Sequence, residues 1–195
     1  MDKVDEKINK FMNLLKERTI DPIEVMDIKE SCTATLLLIF AAIDSLSKIT
    51  CDDSSYEIYS SSNGNKDVGK RFKDFLTIEM DKKYSQFKGD IYALRNDIVH
   101  TGIPIRVMLS KNELNRNSHL QKKDGNLFIN TLQLLDDFKR ALEVISINIK
   151  NKGKYFHNAS KRLKNFNLIE LDEEYTIPFP SRGADEPPFH KEGNS

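Results

Sequence analysis

The chain has 195 residues, with 30 Lys and Arg against 30 Asp and Glu, so its formal net charge is zero. General attraction to nucleic acid or an acidic membrane is therefore not predicted, and any such binding has to come from a local patch. An apolar share of 38% beside 31% charged residues fits a single domain with enough length to bury a core. The two cysteines, Cys32 and Cys51, fit neither a disulfide framework nor a zinc site, and Cys32 reads as a small buried residue. No positively charged, apolar leader is seen, so a cytoplasmic protein without a membrane partner is expected.

Val4, Ile8, Phe11 and Leu15 recur at helical spacing and predict an amphipathic helix over residues 3–18. Asp21-Pro22-Ile23-Glu24 then reads as a helix start, with an N-cap, a proline in the first turn and the glutamate of a capping box. The second helix is predicted from Pro22 to about Lys48. Its apolar run from Leu36 to Ile43 marks the centre of a bundle and is too short for a bilayer, which needs ~20 residues. Asp44 ends that run, either as a solvated carboxylate or facing a functional group on a neighbouring helix. Residues 51–66 read as a polar loop, and Phe72, Phe75, Leu76 and Met80 predict a third helix over residues 67–84.

The stretch from Ile91 to Gly102 is the most informative. It reads as the end of a helix stopped by Gly102, just before Ile103-Pro104. At ~100° per residue, Leu94, Ile98, Ile91, Val99 and Tyr92 share one arc, and Arg95 falls in the middle of it. A guanidinium among apolar neighbours requires a partner. His100 lies one turn beyond Asn96 on the flank of the same arc. A held cation beside an ionisable imidazole is a catalytic kind of arrangement. The plainer alternative is a surface arginine near a histidine at a helix C-terminus.

Beyond the motif, Ile105 to Leu109 is β-prone and Asp124-Gly125 is a turn signal, so a small β-hairpin is predicted over about residues 103–130. Arg106, Lys111, Arg116, Lys122 and Lys123 there could contact phosphate or simply be solvated. Asn130 or Thr131 should cap a further helix, whose stripe of Leu135, Phe138, Leu142, Ile145 and Ile149 runs to about Lys150 and should pack on the second helix. Lys150, Lys152, Lys154, Lys161, Arg162 and Lys164 follow with no acid among them, interleaved with Tyr155, Phe156 and His157. Such a segment suits an RNA backbone and its unstacked bases, or a solvated helix end. Residues 166–195 turn acidic and carry prolines, which reads as a tail, disordered or folded back on the basic segment.

No Gly-rich phosphate loop, His-x-x-x-His or Gly-x-Ser-x-Gly occurs, and His119, His157 and His190 lack metal-ligand spacing. No metal or cofactor is therefore expected, and Arg95 to His100 is the one chemical candidate.

Arg95-Asn96 followed by His100 near the end of an amphipathic helix resembles the signature of the HEPN superfamily. These are small helical domains, many of them metal-independent ribonucleases of toxin, anti-phage and RNA-processing systems. The likeness is tight over Arg95–His100 and looser over residues 1–165. It implies an all-α, HEPN-like bundle of about five helices with the small hairpin inserted, followed by the acidic tail. It further implies a symmetric homodimer that cleaves RNA to 2′,3′-cyclic phosphate and 5′-hydroxyl ends. Arg95 would then hold the scissile phosphate, with His100 as general acid or base and Asn96 orienting the histidine or a phosphate oxygen. Asp44 and Asp97 would support them, Asp97 by favouring protonated His100 from one turn back. An antitoxin or other regulatory protein is a possible partner. However, Thr101-Gly102-Ile103 offers no tyrosine of the kind that some family toxins present for inactivating modification. The alternative is a non-catalytic module of the same fold that binds RNA, a nucleotide or a protein.

Overall fold

The computed structural model describes residues 3–25, 31–51 and 65–163. Most of the predicted loop, the predicted tail and Lys164 lie outside the described residues. Among those described, the chain is mainly helical, with seven α-helices and one small three-stranded sheet.

The helix α1 (Lys3–Leu15) does not end where the sequence suggested. It continues through a π-turn, Lys16–Ile20, directly into α2 (Asp21–Val25). Asp21 is helical rather than a cap (φ −60°, ψ −42°), and its N–H bonds to the Lys16 carbonyl five residues back. Pro22 explains the wider turn. It has no N–H to give and its ring crowds the carbonyl four residues earlier, so a locally wider turn lets the helix pass. The predicted second helix starts instead at Ser31. Extended backbone there and a bond from the Ala34 N–H to Ser31 Oγ (3.2 Å) cap α3 (Cys32–Thr50).

α3 is the centre of the bundle. Leu36, Ile39, Phe40, Ile43 and Leu46 are fully buried, and α3 touches all four later helices. By length and composition α3 is the one helix among the described residues that could cross a membrane, with mean hydropathy 1.6. Half of that apolar window is buried inside the protein, as a core helix requires. α4 (Asn65–Phe75) takes in the last two residues of the predicted loop and extends through a second π-turn, Leu76–Met80. Phe40, Phe72 and Tyr92 form an aromatic chain from α3 through α4 to the motif helix, with ring centroids 5.6 Å apart at each step.

The motif helix α5 (Lys88–Thr101) ends as expected: Gly102 adopts φ 71° and its N–H closes on the Ile98 carbonyl. A short 3-10 turn, Lys82–Tyr84, separates it from α4; Gly89 lies inside its first turn.

The insert is more than a hairpin. β2 (Lys122–Lys123) and β3 (Asn126–Asn130) form the predicted antiparallel pair around Asp124-Gly125, both at positive φ, the backbone of a type I′ turn. β1 (Val107–Ser110), however, pairs with β3 in parallel, from Val107 opposite Leu127 to Ser110 opposite Asn130. A 3-10 helix, Glu113–Ser118, makes the crossover that a parallel pair needs. β3 runs straight into α6 (Thr131–Lys150), and Asn130 is both its last strand residue and the helix cap, through Oδ1 and the Gln133 N–H. α6 packs on α3, as its stripe predicted. α7 (Lys154–Arg162) is a separate helix that the sequence reading did not anticipate.

Candidate functional site

Arg95 and Asp44 meet. The Arg95 Nε and Nη2 atoms both donate to Asp44 Oδ2, at 3.1 and 2.5 Å, and Nη1 donates to Asn96 Oδ1 at 3.0 Å. The side chains are 17% and 22% exposed, so the ion pair lies at the bundle's edge rather than in its centre. Asp44 thus answers the need for a partner, reached because α3 and α5 pack side by side. Asp44 Oδ1 is buried and accepts no hydrogen bond from the described residues.

The buried arc of α5 is Ile91, Leu94 and Ile98, narrower than the sequence implied. Val99 is 45% exposed, and Ile103 beyond the cap is 64% exposed. Arg95 sits where the buried arc gives way to this apolar surface. His100 is exposed in the last turn, and its imidazole makes no hydrogen bond or ion pair with the described residues. Asp44 therefore holds the arginine and not the histidine. Asn96 likewise turns its oxygen to Arg95 rather than to His100. Asp97 gives His100 no hydrogen bond among the described residues; its carbonyl accepts from Thr101 Oγ1 at 2.7 Å.

A cavity of about 520 Å³ opens between α5 and the small sheet, lined by Asp90, Ala93 and Asp97 on the helix. Ile105, Arg106, Val107, Lys122, Gly125 and Leu127 complete it from the insert. Lys122 is paired with Asp90 (3.1 Å), and Arg116 with Glu113 and Asp136, so neither is a ready phosphate contact. Arg106 is exposed at the lip of the cavity and adopts φ 60°, uncommon outside glycine. Lys111 and Lys123 are exposed.

The basic segment divides. Lys150, Lys152, Lys154 and Lys161 are exposed. Arg162 is 3% exposed, and its Nη1 donates to the carbonyls of Lys48 (2.6 Å) and Cys51 (2.9 Å). It closes the C-terminal end of α3, whose last carbonyls lack helical partners, and is not placed to meet RNA. Lys152 reaches Asp5 and lies over the Phe156 ring. Tyr155 donates its hydroxyl to Glu79, and burial raises the Glu79 carboxyl above the usual range against that bond. Tyr155 and Phe156 pack against the core, leaving His157 as the exposed ring of the three.

Sequence reasoning missed a second polar cluster. The fully buried Asp137 carboxylate on α6 accepts from Lys83 (2.6 Å), Tyr84 Oη (2.6 Å), Gln133 (2.9 Å) and Arg140. Burial would raise its pKa, but the bonds from Lys83, Tyr84 and Gln133 outweigh it and hold the carboxyl low. Tyr84 Oη also meets His119 Nε2 at 3.0 Å, while His119 Nδ1 accepts the Asn130 N–H at 3.1 Å. Burial pushes the His119 imidazole down to about 4. The cluster ties the insert to the bundle. Its sequence signal was present: Asp137 stands three residues after Leu134 and four before Ala141, on the helix's own apolar stripe.

Thr131 Oγ1 touches Cys32 Sγ at 3.8 Å, and Cys32 is half-buried rather than fully so. Among the described residues, no three His, Cys, Asp or Glu side chains gather as a metal site would require. No protein-family model matches the chain, and no curated protein and no solved structure matches it.

Proposed function

We propose that the protein is a metal-independent endoribonuclease of HEPN-like fold, acting as a symmetric dimer in a toxin or anti-phage role. The observation that carries this reading is the pairing of a braced Arg95 with an open His100 on one helix end. Arg95 spends three of its five N–H groups on Asp44 and Asn96, leaving one on each Nη for a phosphate. The exposed Val99 and Ile103 beside His100 give a second copy an apolar surface to cover.

In the reaction, a base removes the proton of the ribose 2′-hydroxyl and the 2′-oxygen attacks phosphorus. The P–O5′ bond breaks, and an acid protonates the leaving 5′-oxygen. The products are a 2′,3′-cyclic phosphate and a 5′-hydroxyl. One His100 per subunit supplies one proton-transfer group, so two subunits supply both the base and the acid. The paired Arg95 guanidiniums stabilise the charge that builds on the phosphorane oxygens.

The test is single-stranded RNA incubated with purified protein in excess EDTA, with the ends of the products identified. His100→Ala is the decisive variant because His100 is exposed and supports no described contact. Cleavage by the native protein that is lost in His100→Ala supports the reading; equal cleavage by both removes it. A second reading is favoured by the commitment of Arg95 to Asp44 and Asn96: a binding module without chemistry. It predicts RNA or nucleotide retention with no product at any enzyme concentration.

A further inference from the structure

We infer that the cavity beside the motif helix is a base-specificity site, built to take a guanine nucleotide flanking the scissile phosphate. Its purpose rests on the ribonuclease reading above; its chemistry rests on the cavity alone.

Ala93, Asp97 and His100 follow one another by four and three residues on α5, so they form one strip of the helix surface. Neighbours at such spacing are ~5–6 Å apart at Cβ, which sets the cavity one helical turn from the imidazole. A volume of about 520 Å³ lies in the size range of small-ligand pockets. Ala93, Ile105 and Val107 give part of its otherwise polar lining an apolar surface on which a ring can lie.

The polar groups are unevenly engaged. Asp90 is taken by Lys122. The half-buried Asp97 carboxylate receives no hydrogen bond or ion pair from the described residues, nor does the guanidinium of Arg106 at the lip give one. A carboxylate held in a cavity without a donor selects a ligand that brings donors. Among the bases, guanine presents two on one edge, N1–H and the N2 amino group, matched to the two oxygens of a carboxylate. Adenine and cytosine present one amino group there, and uracil a single N–H. Arg106 then has the charge and fork to take the nucleotide's phosphate at the mouth.

The probe is 5′-GMP, titrated into the purified native protein by calorimetry or NMR, with AMP, CMP, UMP and guanosine alongside. GMP is expected to bind about tenfold or more tightly than AMP, and Asp97→Asn to lose most of that preference. Arg106→Ala should weaken GMP but leave guanosine unchanged. No GMP binding at millimolar concentration, equal binding of all four nucleotides, or an Asp97→Asn protein that still prefers GMP would each overturn the assignment. RNA of mixed sequence separates the two readings. Cleavage without preference for a neighbouring G, together with silence toward GMP, removes the guanine site and leaves the nuclease. Asp97-dependent GMP binding by a protein that never cuts RNA does the reverse.

Discussion

Arg95 and Asp44 form an ion pair across two helices in which one carboxylate oxygen takes both donors and the other stays buried without one among the described residues. This one-sided geometry fixes the plane of the guanidinium. Asp44→Ala would leave a half-buried cation without its anion, a loss of about 1–3 kcal/mol given the partial exposure of both groups. Chemical denaturation of Asp44→Ala, Arg95→Ala and the double variant should give a coupling energy above ~0.5 kcal/mol, as for residues in direct contact. Additive losses would mean that the pair is not formed in solution. If the protein cleaves RNA, Asp44→Ala should also lower kcat by about 10²-fold by misplacing Arg95.

That pair was half legible in the sequence. An arginine in the middle of an apolar arc announced the need for an anion, while Asp44 at the end of an apolar run could be read either as a solvated carboxylate or as that partner. Periodicity could not show that Val99 leaves the arc, because the arc's width depends on how closely α3 and α4 approach α5. Asn96 was expected to orient His100 or a phosphate oxygen, yet its side-chain oxygen turns to its neighbour Arg95. The parallel pairing of β1 was hidden for a different reason. A turn signal such as Asp124-Gly125 specifies the hairpin it closes and is silent about a third strand arriving from elsewhere. Arg162 was read by its charge, whereas its surroundings, the open carbonyls at the end of α3, decided its role.

Arg162 therefore yields a prediction of stability rather than of affinity. Arg162→Ala leaves the Lys48 and Cys51 carbonyls without their charged donor, a loss of roughly 2–3 kcal/mol. Urea unfolding should register it, and RNA binding per folded molecule should not change. Any electrostatic contribution of this segment to RNA should appear instead in the exposed Lys150 and Lys154, as reduced salt dependence in the double alanine variant. A stable Arg162→Ala protein with weakened RNA binding would refute the capping role.

Gly69 sets how closely the motif helix is held. A Cβ at this position would lie 2.9 Å from the Tyr92 ring, too near for either to remain in place. Alanine in a helix interior ordinarily gains about 1 kcal/mol over glycine. Here Gly69→Ala should instead cost about 1–3 kcal/mol, because it displaces the Tyr92 ring from its packing on Phe72. Thermal unfolding should show a lowered Tm, and the same substitution in a Tyr92→Leu background should be neutral or stabilising. A gain in the native background would show that the ring moves aside freely.

His119 makes the attachment of the insert sensitive to acid. Because the Asn130 N–H can only donate, Nδ1 must be unprotonated; Nε2–H then points to Tyr84 Oη, whose own proton goes to Asp137. A second proton on the ring would oppose the Asn130 N–H, at the residue that also caps α6. Asp137 pulls the imidazole toward protonation and Lys83 pushes it away, but burial dominates and holds it near 4, against 6.5 for a free histidine. In the unfolded chain the ring takes up its proton near 6.5, while the folded protein refuses it until about pH 4. Stability from this group is therefore complete above the unfolded value and falls as pH drops through that window, by at most about 3 kcal/mol. Urea midpoints measured between pH 7.5 and 4.5 should decline more steeply for the native protein than for His119→Gln, which keeps polarity without titrating. Parallel declines would mean that carboxylates elsewhere, and not this imidazole, govern the acid limb.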